Sequence, residues 1–302
     1  MLSMLAMAAM VSCTNEIESP DQPKMNENDP VEIKATAGVG GVSTKAAIDQ
    51  DGTSGALNND LAGVYFLRED ATTASWSNLG TPIEATILKN GSIKFNTGSE
   101  QYYTKDGGNS HLFGYYPTVT TKEATILKWT ITGKEDIIIS DVQSGNKSKT
   151  DALSFKFSHQ LTQLQFTIKS NTAITGEKIQ SVSVKFQKAA AQYSPSTSVF
   201  EFTGAADNAL TSDDANKTDD ITTAGVSGGT LLLEPSQASK DFDIEVKTVT
   251  GSDIKTYTGK VNIGAAVNTA YKVTLTISQQ EVSGSATIGK WTDGAEASGN
   301  II

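Results

Sequence analysis

Apolar residues recur at every second position over much of this chain. Val31, Ile33, Ala35, Ala37 and Val39 alternate with mostly polar neighbours. Leu153, Phe155 and Phe157 occupy odd positions, and Leu161 keeps that parity. Leu164, Phe166 and Ile168 occupy even ones. The same alternation returns in Val182–Val184–Phe186, in Phe242–Ile244–Val246 and in Tyr271–Val273–Leu275–Ile277, and a last stretch holds Ile288 and Trp291. A period of two places alternate side chains on one face of an extended chain, so each stretch predicts a half-buried β-strand. The parity change between Leu161 and Leu164 predicts a bulge or bend, because no single straight strand keeps one face buried through it. Ile137, Ile138 and Ile139 form a short apolar run. Turn formers lie between the stretches, at Asn90-Gly91, Asp106-Gly107-Gly108, Ser227-Gly228-Gly229 and Thr250-Gly251. No long amphipathic helix is predicted, and the Ala-rich piece 188–192 predicts at most one helical turn.

Short strands at this spacing predict an all-β fold built as antiparallel sandwiches rather than a parallel α/β sheet. The chain has 302 residues, of which 37% are hydrophobic, enough for two modest cores. The polar stretch 144–150 places the boundary, giving an N-terminal sandwich over 31–150 and a C-terminal one over 151–302. A second polar stretch, 205–220, carries Asp207, Asp213, Asp214, Asp219 and Asp220 and reads as a loop of the second domain. Oxygen ligands there suit calcium, but the spacing is not that of a calcium-binding loop, so a solvated loop is the stronger reading.

Charge narrows the function. The formal net charge is −10, with 24 basic residues against 34 acidic ones. Arg68 is the only arginine, and there is no basic run. A phosphate backbone is held by clustered cations, so nucleic acid is excluded as a partner. Cys13 is the one cysteine, which excludes an internal disulfide and a cysteine-rich metal site. His111 and His159 are the only histidines. His159 shares the parity of Phe155 and Phe157 and reads as a core residue; His111 reads as a loop-to-strand residue. No nucleophile elbow or phosphate loop is present, so no enzymatic activity, cofactor or metal is expected.

The N-terminal residues read as export machinery rather than fold. Residues 1–12, MLSMLAMAAMVS, are apolar, uncharged and too short to span a bilayer, and they resemble the apolar region of a signal peptide. Val11-Ser12-Cys13 resembles the end of a bacterial lipobox, which makes Cys13 the lipidation site and the lipid an anchor. Residues 13–30 are polar and Pro-containing and read as a disordered tether. Glu16 and Glu18 resemble the acidic tag that sends some lipoproteins to the outer face of the outer membrane.

Several phrases, in order, resemble the fimbrillin family of pilus subunits and accessory proteins. Phe157-Ser158-His159-Gln160-Leu161, running into Leu164-Gln165-Phe166-Thr167-Ile168, matches its F-x-H-x-L followed by an alternating strand. Gly114-Tyr115-Tyr116-Pro117 is similar to its aromatic-Pro element. Leu231-Leu232-Leu233-Glu234-Pro235 resembles its leucine-rich strand and Pro turn, and Ile288-Gly289-Lys290-Trp291 its I-x-x-W ending. Thr44-Lys45-Ala46 stands where many relatives have Thr-Arg-Ala. The resemblance implies two transthyretin-like sandwiches in tandem and removal of an N-terminal strand by a cut after Lys45. A neighbouring pilus subunit then refills the groove by donor-strand exchange, a form of β-augmentation. Val31, Ile33, Ala35, Ala37 and Val39 are the candidate donor strand. Partners would be other pilus subunits, the outer membrane through the lipid, and an adhesion ligand that the sequence does not identify. Lys45 departs from the expected arginine, so an arginine-specific protease would not cut there. The other reading of the strand is that it is simply the first of the fold and never leaves. The alternative function is a surface lipoprotein that captures glycans on Trp76, Trp129 and Trp291 without polymerising, although core or edge packing is the stronger reading of each tryptophan.

Overall fold

The computed structural model describes residues 29–40, 57, 59–148, 151–172, 174–212, 215–236, 238–278 and 281–289. All regular elements among them are strands or turns, with no helix. In chain order the strands are β1 (Ala35–Gly40), β2 (Leu61–Asp70), β3 (Ile83–Ile87), β4 (Ile93–Phe95), β5 (Ser110–Tyr116), β6 (Thr121–Lys122) and β7 (Leu127–Thr130). There follow β8 (Ile138–Ser140), β9 (Gln143–Gly145), β10 (Leu153–His159), β11 (Thr162–Ser170), β12 (Lys178–Gln187), β13 (Ala190–Ser194) and β14 (Val199–Thr203). The last six are β15 (Asn208–Thr211), β16 (Val226–Leu233), β17 (Lys240–Thr250), β18 (Asp253–Ile263), β19 (Thr269–Ser278) and β20 (Glu281–Gly289).

The first sheet has the order β1-β10-β8-β5-β2-β3-β4, with β9 also paired to β5. Three four-stranded sheets follow: β16-β11-β19-β20, β15-β12-β17-β18 and β14-β13-β7-β6. Most pairings are antiparallel. Two are parallel, β1 with β10 and β11 with β19. In both, the partners are far apart in sequence, as parallel neighbours must be, because a tight hairpin can join only antiparallel strands.

Two apolar cores result. One gathers Ile33, Ala35 and Val39 with Val64, Phe66, Ile87, Leu112, Ile138, Phe155 and Phe157. The other takes the next residues along the same strands, Leu67, Phe113 and Ile139, together with Trp129, Leu164, Val182, Leu231, Phe242 and Val273. The central strands of the first sheet are thus buried on both faces. That is why Ile137–Ile139 reads as an unbroken apolar run rather than an alternation.

The parity change after Leu161 marks a real bend. His159 ends β10 in the first sheet, and Thr162 begins β11 in the second. Sheet membership therefore changes at residues 160–161, beyond the polar stretch 144–150, and β10 lies between β1 and β8. The N- and C-terminal halves also share a sheet, since β13 pairs with β7 on one side and β14 on the other. The Ala-rich piece 188–192 is not a helical turn: Ala190, Ala191 and Gln192 are part of β13. Two hydrogen-bonding neighbours outweigh the modest helix preference of alanine. The polar stretch 205–220 likewise holds a short strand, β15, that pairs with β12 at the sheet edge.

Candidate functional site

The site begins with six residues of low bulk. Ala35-Thr36-Ala37-Gly38-Val39-Gly40 forms β1 at the end of the first sheet. On one side it runs parallel to β10, with Ala35 opposite Leu153, Ala37 opposite Phe155 and Val39 opposite Phe157. The Leu153 amide donates to the Lys34 carbonyl at 2.8 Å. On the other side, odd-numbered residues bond to the segment 91–103. The Ile33 amide donates to the Gln101 carbonyl at 2.7 Å, the Tyr103 amide to the Val31 carbonyl at 2.9 Å, and the Ala37 amide to the Gly91 carbonyl at 2.7 Å. Thr36 forms an antiparallel bridge with Ser92, just before β4. Since β4 is the opposite end of the same sheet, β1 joins the two ends. The strand and the residues leading into it thus make backbone hydrogen bonds on both edges, as an extended chain in a groove requires.

The alternation expected of Val31, Ile33, Ala35, Ala37 and Val39 is present. Ile33, Ala35 and Val39 are buried at 2%, 7% and 1% exposure. Val31 and Ala37 pack partly buried against the same core. Glu32, Lys34 and Thr36 face outward and are exposed. The aromatic floor comes from distant strands: the Phe66 ring meets Phe155 at 5.1 Å, Phe95 at 5.6 Å and Phe157 at 6.2 Å, all edge-on. Tyr103 is buried beside them. Its hydroxyl has no hydrogen-bond partner among the described residues, and burial pushes its pKa up despite the Arg68 charge nearby. A Cβ at Gly145 would lie 2.6 Å from that hydroxyl, so glycine there makes room for the ring. Sequence reasoning found the strand but had no signal for Tyr103 or Gly145.

Gly91 closes the turn against which β1 rests. Its φ is +83°, and a Cβ there would sit 3.0 Å from the Ala37 carbonyl oxygen. Replacing it with valine combines left-handed backbone strain with a push against β1. The expected cost is about 2 kcal/mol. Thermal unfolding should fall by about 4 °C or more, and the Ala37 amide should exchange faster. An unchanged melting temperature would show that β1 does not lean on this turn.

The other sequence candidates lie elsewhere. Cys13, Lys45 and Trp291 are outside the described residues. Arg68 sits in β2 with its guanidinium committed to Asp70, Gln101 and Ser110. Trp76 and Trp129 are buried at 4% and 3% exposure and pack edge-on against Phe113 and Tyr115, so neither offers an open sugar platform. His159 is a core residue: its Nδ1 lies 2.6 Å from Oδ1 of the equally buried Asp136. His111 is in β5, with Nε2 3.0 Å from the Ala71 carbonyl. Of the aspartate stretch, Asp213 and Asp214 are outside the described residues. Asp219 accepts from Asn216, and Asp220 accepts from the Gly176 amide and pairs with Lys178 at 3.2 Å. Among the described residues no group of three or more His, Cys, Asp or Glu is placed to hold a metal ion.

These features define an all-β protein whose first strand is an end stave of a sheet, packed by alternate side chains into an apolar groove. The chain belongs to the fimbrillin-like family, whose model matches residues 44–291. The fold is similar to that of a protein assigned to cell adhesion from Bacteroides uniformis, with 18% identity, a TM-score of 0.59, and coverage of 87% of this chain and 99% of the other. A counterpart from Bacteroides ovatus has 16% identity and a TM-score of 0.59, covering 88% and 99%. One from Bacteroides fragilis has 12% identity and a TM-score of 0.52, covering 88% and 99%. No match was found among the curated proteins.

Proposed function

We propose that this chain is a non-enzymatic subunit of a cell-surface pilus that assembles by strand exchange and serves adhesion. The supporting observation is the placement of β1. It is bonded on both edges to segments remote in sequence, and it fills an aromatic-floored groove with small side chains. Burying the inner face of Val31, Ile33, Ala35, Ala37 and Val39 is worth about 5 kcal/mol before entropy, at ~25 cal/mol per Å2. Without β1, the groove leaves an apolar trough and an unpaired backbone edge, which a strand from a neighbouring subunit can fill. In this reading the chain is exported with a lipid on Cys13, is delivered to the outer membrane, and loses residues 13–45, the lipid and β1 with them, by a cut after Lys45.

Intact mass of the mature protein and its behaviour in mild detergent gels test this reading together. The expected result is an acylated precursor, a shorter form beginning at Ala46, and a ladder of multimers. Deleting residues 31–39 from every subunit should abolish the ladder. A mature protein that keeps β1 and runs only as a monomer would overturn the assembly mechanism.

A further inference from the structure

Away from β1, five separate segments converge on an open cleft of about 500 Å3. Gln160 comes from the bend after β10, Lys188 from the end of β12, Phe200 and Phe202 from β14, Glu234 from the end of β16, and Val267 from the turn before β19. Phe200 and Phe202 are half-buried, with their rings 5.6 Å apart and nearly perpendicular. Trp129 backs Phe200 at 6.0 Å, so the pair stands on the main core rather than on a loose loop. Val267 is 48% exposed, unusual for a large apolar residue.

The polar groups are set against these rings. Lys188 Nζ donates to Glu234 Oε1 at 2.9 Å and to the Phe202 carbonyl at 3.4 Å, tying the ion pair to the aromatic strand. Lys188 engages one oxygen of Glu234, whose side chain stays 24% exposed. Gln160 donates one amide hydrogen to the Ser158 carbonyl, which leaves its second N–H and its oxygen for the cleft. Glu201 also lines the cleft, with its Oε1 accepting from Gln192 Nε2 at 2.6 Å, so two carboxylates and one ammonium border it.

We propose that this cleft binds a neutral pyranose, with its C–H face on the Phe200–Phe202 pair and its hydroxyls on Glu234, Lys188 and Gln160. A pyranose carries an apolar face and a rim of groups that both donate and accept. It therefore matches a site with aromatic rings on one side and fixed acceptors and a donor on the other. The volume is in the range of small-molecule sites. The surplus carboxylate excludes acidic sugars, whose charge it would repel. The site shares no residue with β1 or its groove, so it stands or falls independently of strand exchange.

The test is titration of the full chain with methyl β-galactopyranoside, methyl β-glucopyranoside and N-acetylglucosamine, with N-acetylneuraminic acid as the anionic comparator. Saturation-transfer NMR and calorimetry read the binding. At least one neutral sugar should bind saturably, and its affinity should fall about tenfold in Phe202→Ala and in Glu234→Gln. Glu234→Gln keeps the outline of the cleft, so it decides the matter if Phe202→Ala lowers the melting temperature. The proposal is overturned if none of the neutral sugars saturates, if Glu234→Gln binds as the wild type does, or if the acidic sugar binds more tightly than the neutral ones.

Discussion

A chain lacking residues 1–45 is expected to aggregate or unfold at low temperature, and a peptide of residues 31–40 is expected to restore it. The magnitude follows from the groove. Burial of the inner face of residues 31–39 contributes about 5 kcal/mol, comparable to the whole stability of many domains, about 5–15 kcal/mol. Ile33 is the largest inward residue with so little exposure, 2%. A peptide carrying Ile33→Asp loses that burial and must also desolvate a carboxylate above Phe66 and Phe155. Its affinity should drop by about a hundredfold or more. A Glu32→Gln peptide, altered only on the exposed face, should rescue as well as the native one. Solubility and melting temperature with each peptide are the measurements. If the truncated chain is as soluble and stable as the intact one, or if the Ile33→Asp peptide rescues equally, the groove has no need of β1.

Replacing Glu177 with alanine is expected to cost about 3 kcal/mol at neutral pH, because buried donors lose their acceptor. Glu177 is 1% exposed and immediately precedes β12. It accepts from the Thr248 hydroxyl on β17 and, at 2.9 Å, from the Tyr257 hydroxyl on β18; Lys255 on β18 lies 3.2 Å away. One carboxylate thus pins three neighbouring strands at one end of their sheet. Burial raises its pKa, but the bonds from Thr248, Tyr257 and Lys255 outweigh burial, and the net direction is below the ordinary value of 4.5. A carboxylate depressed in the folded state binds fewer protons there than in the unfolded chain. Its stabilisation is therefore full above about pH 4.5 and is lost as the pH falls through the folded value. Urea unfolding of wild type and Glu177→Ala should differ most at pH 7 and converge progressively below pH 4.5. A gap that stays constant down to pH 3 would place the effect in packing rather than in the charge.

Much of the fold is legible in the spacing of apolar residues, and the exceptions have physical causes. The alternation over Leu153–His159 gives β10 and its inward face. It does not give the partner, because β1 and β8 lie on either side of it and neither is adjacent in sequence. Phe186 carries the correct parity for burial, yet it is 63% exposed with φ at 55°. The register between β12 and β15 shifts between Val184 and Gln187, and the bulge turns Phe186 outward. The candidate donor strand was visible as an amphipathic ribbon. The Phe200–Phe202 cleft was not, since five segments supply it and each reads alone as an ordinary strand end or turn.

The sequence by itself determined which segments are strands and which face of most of them is apolar, because a two-residue period is a local property of the backbone. It also carried the ordered phrases that mark the family. Tertiary structure alone decided that β1 lies parallel to β10, that β7 and β13 share a sheet across the two halves, and that Asp136 meets His159 in the core. Those pairings rest on side-chain volume and hydrogen-bond complementarity between remote segments, which no single stretch of chain contains.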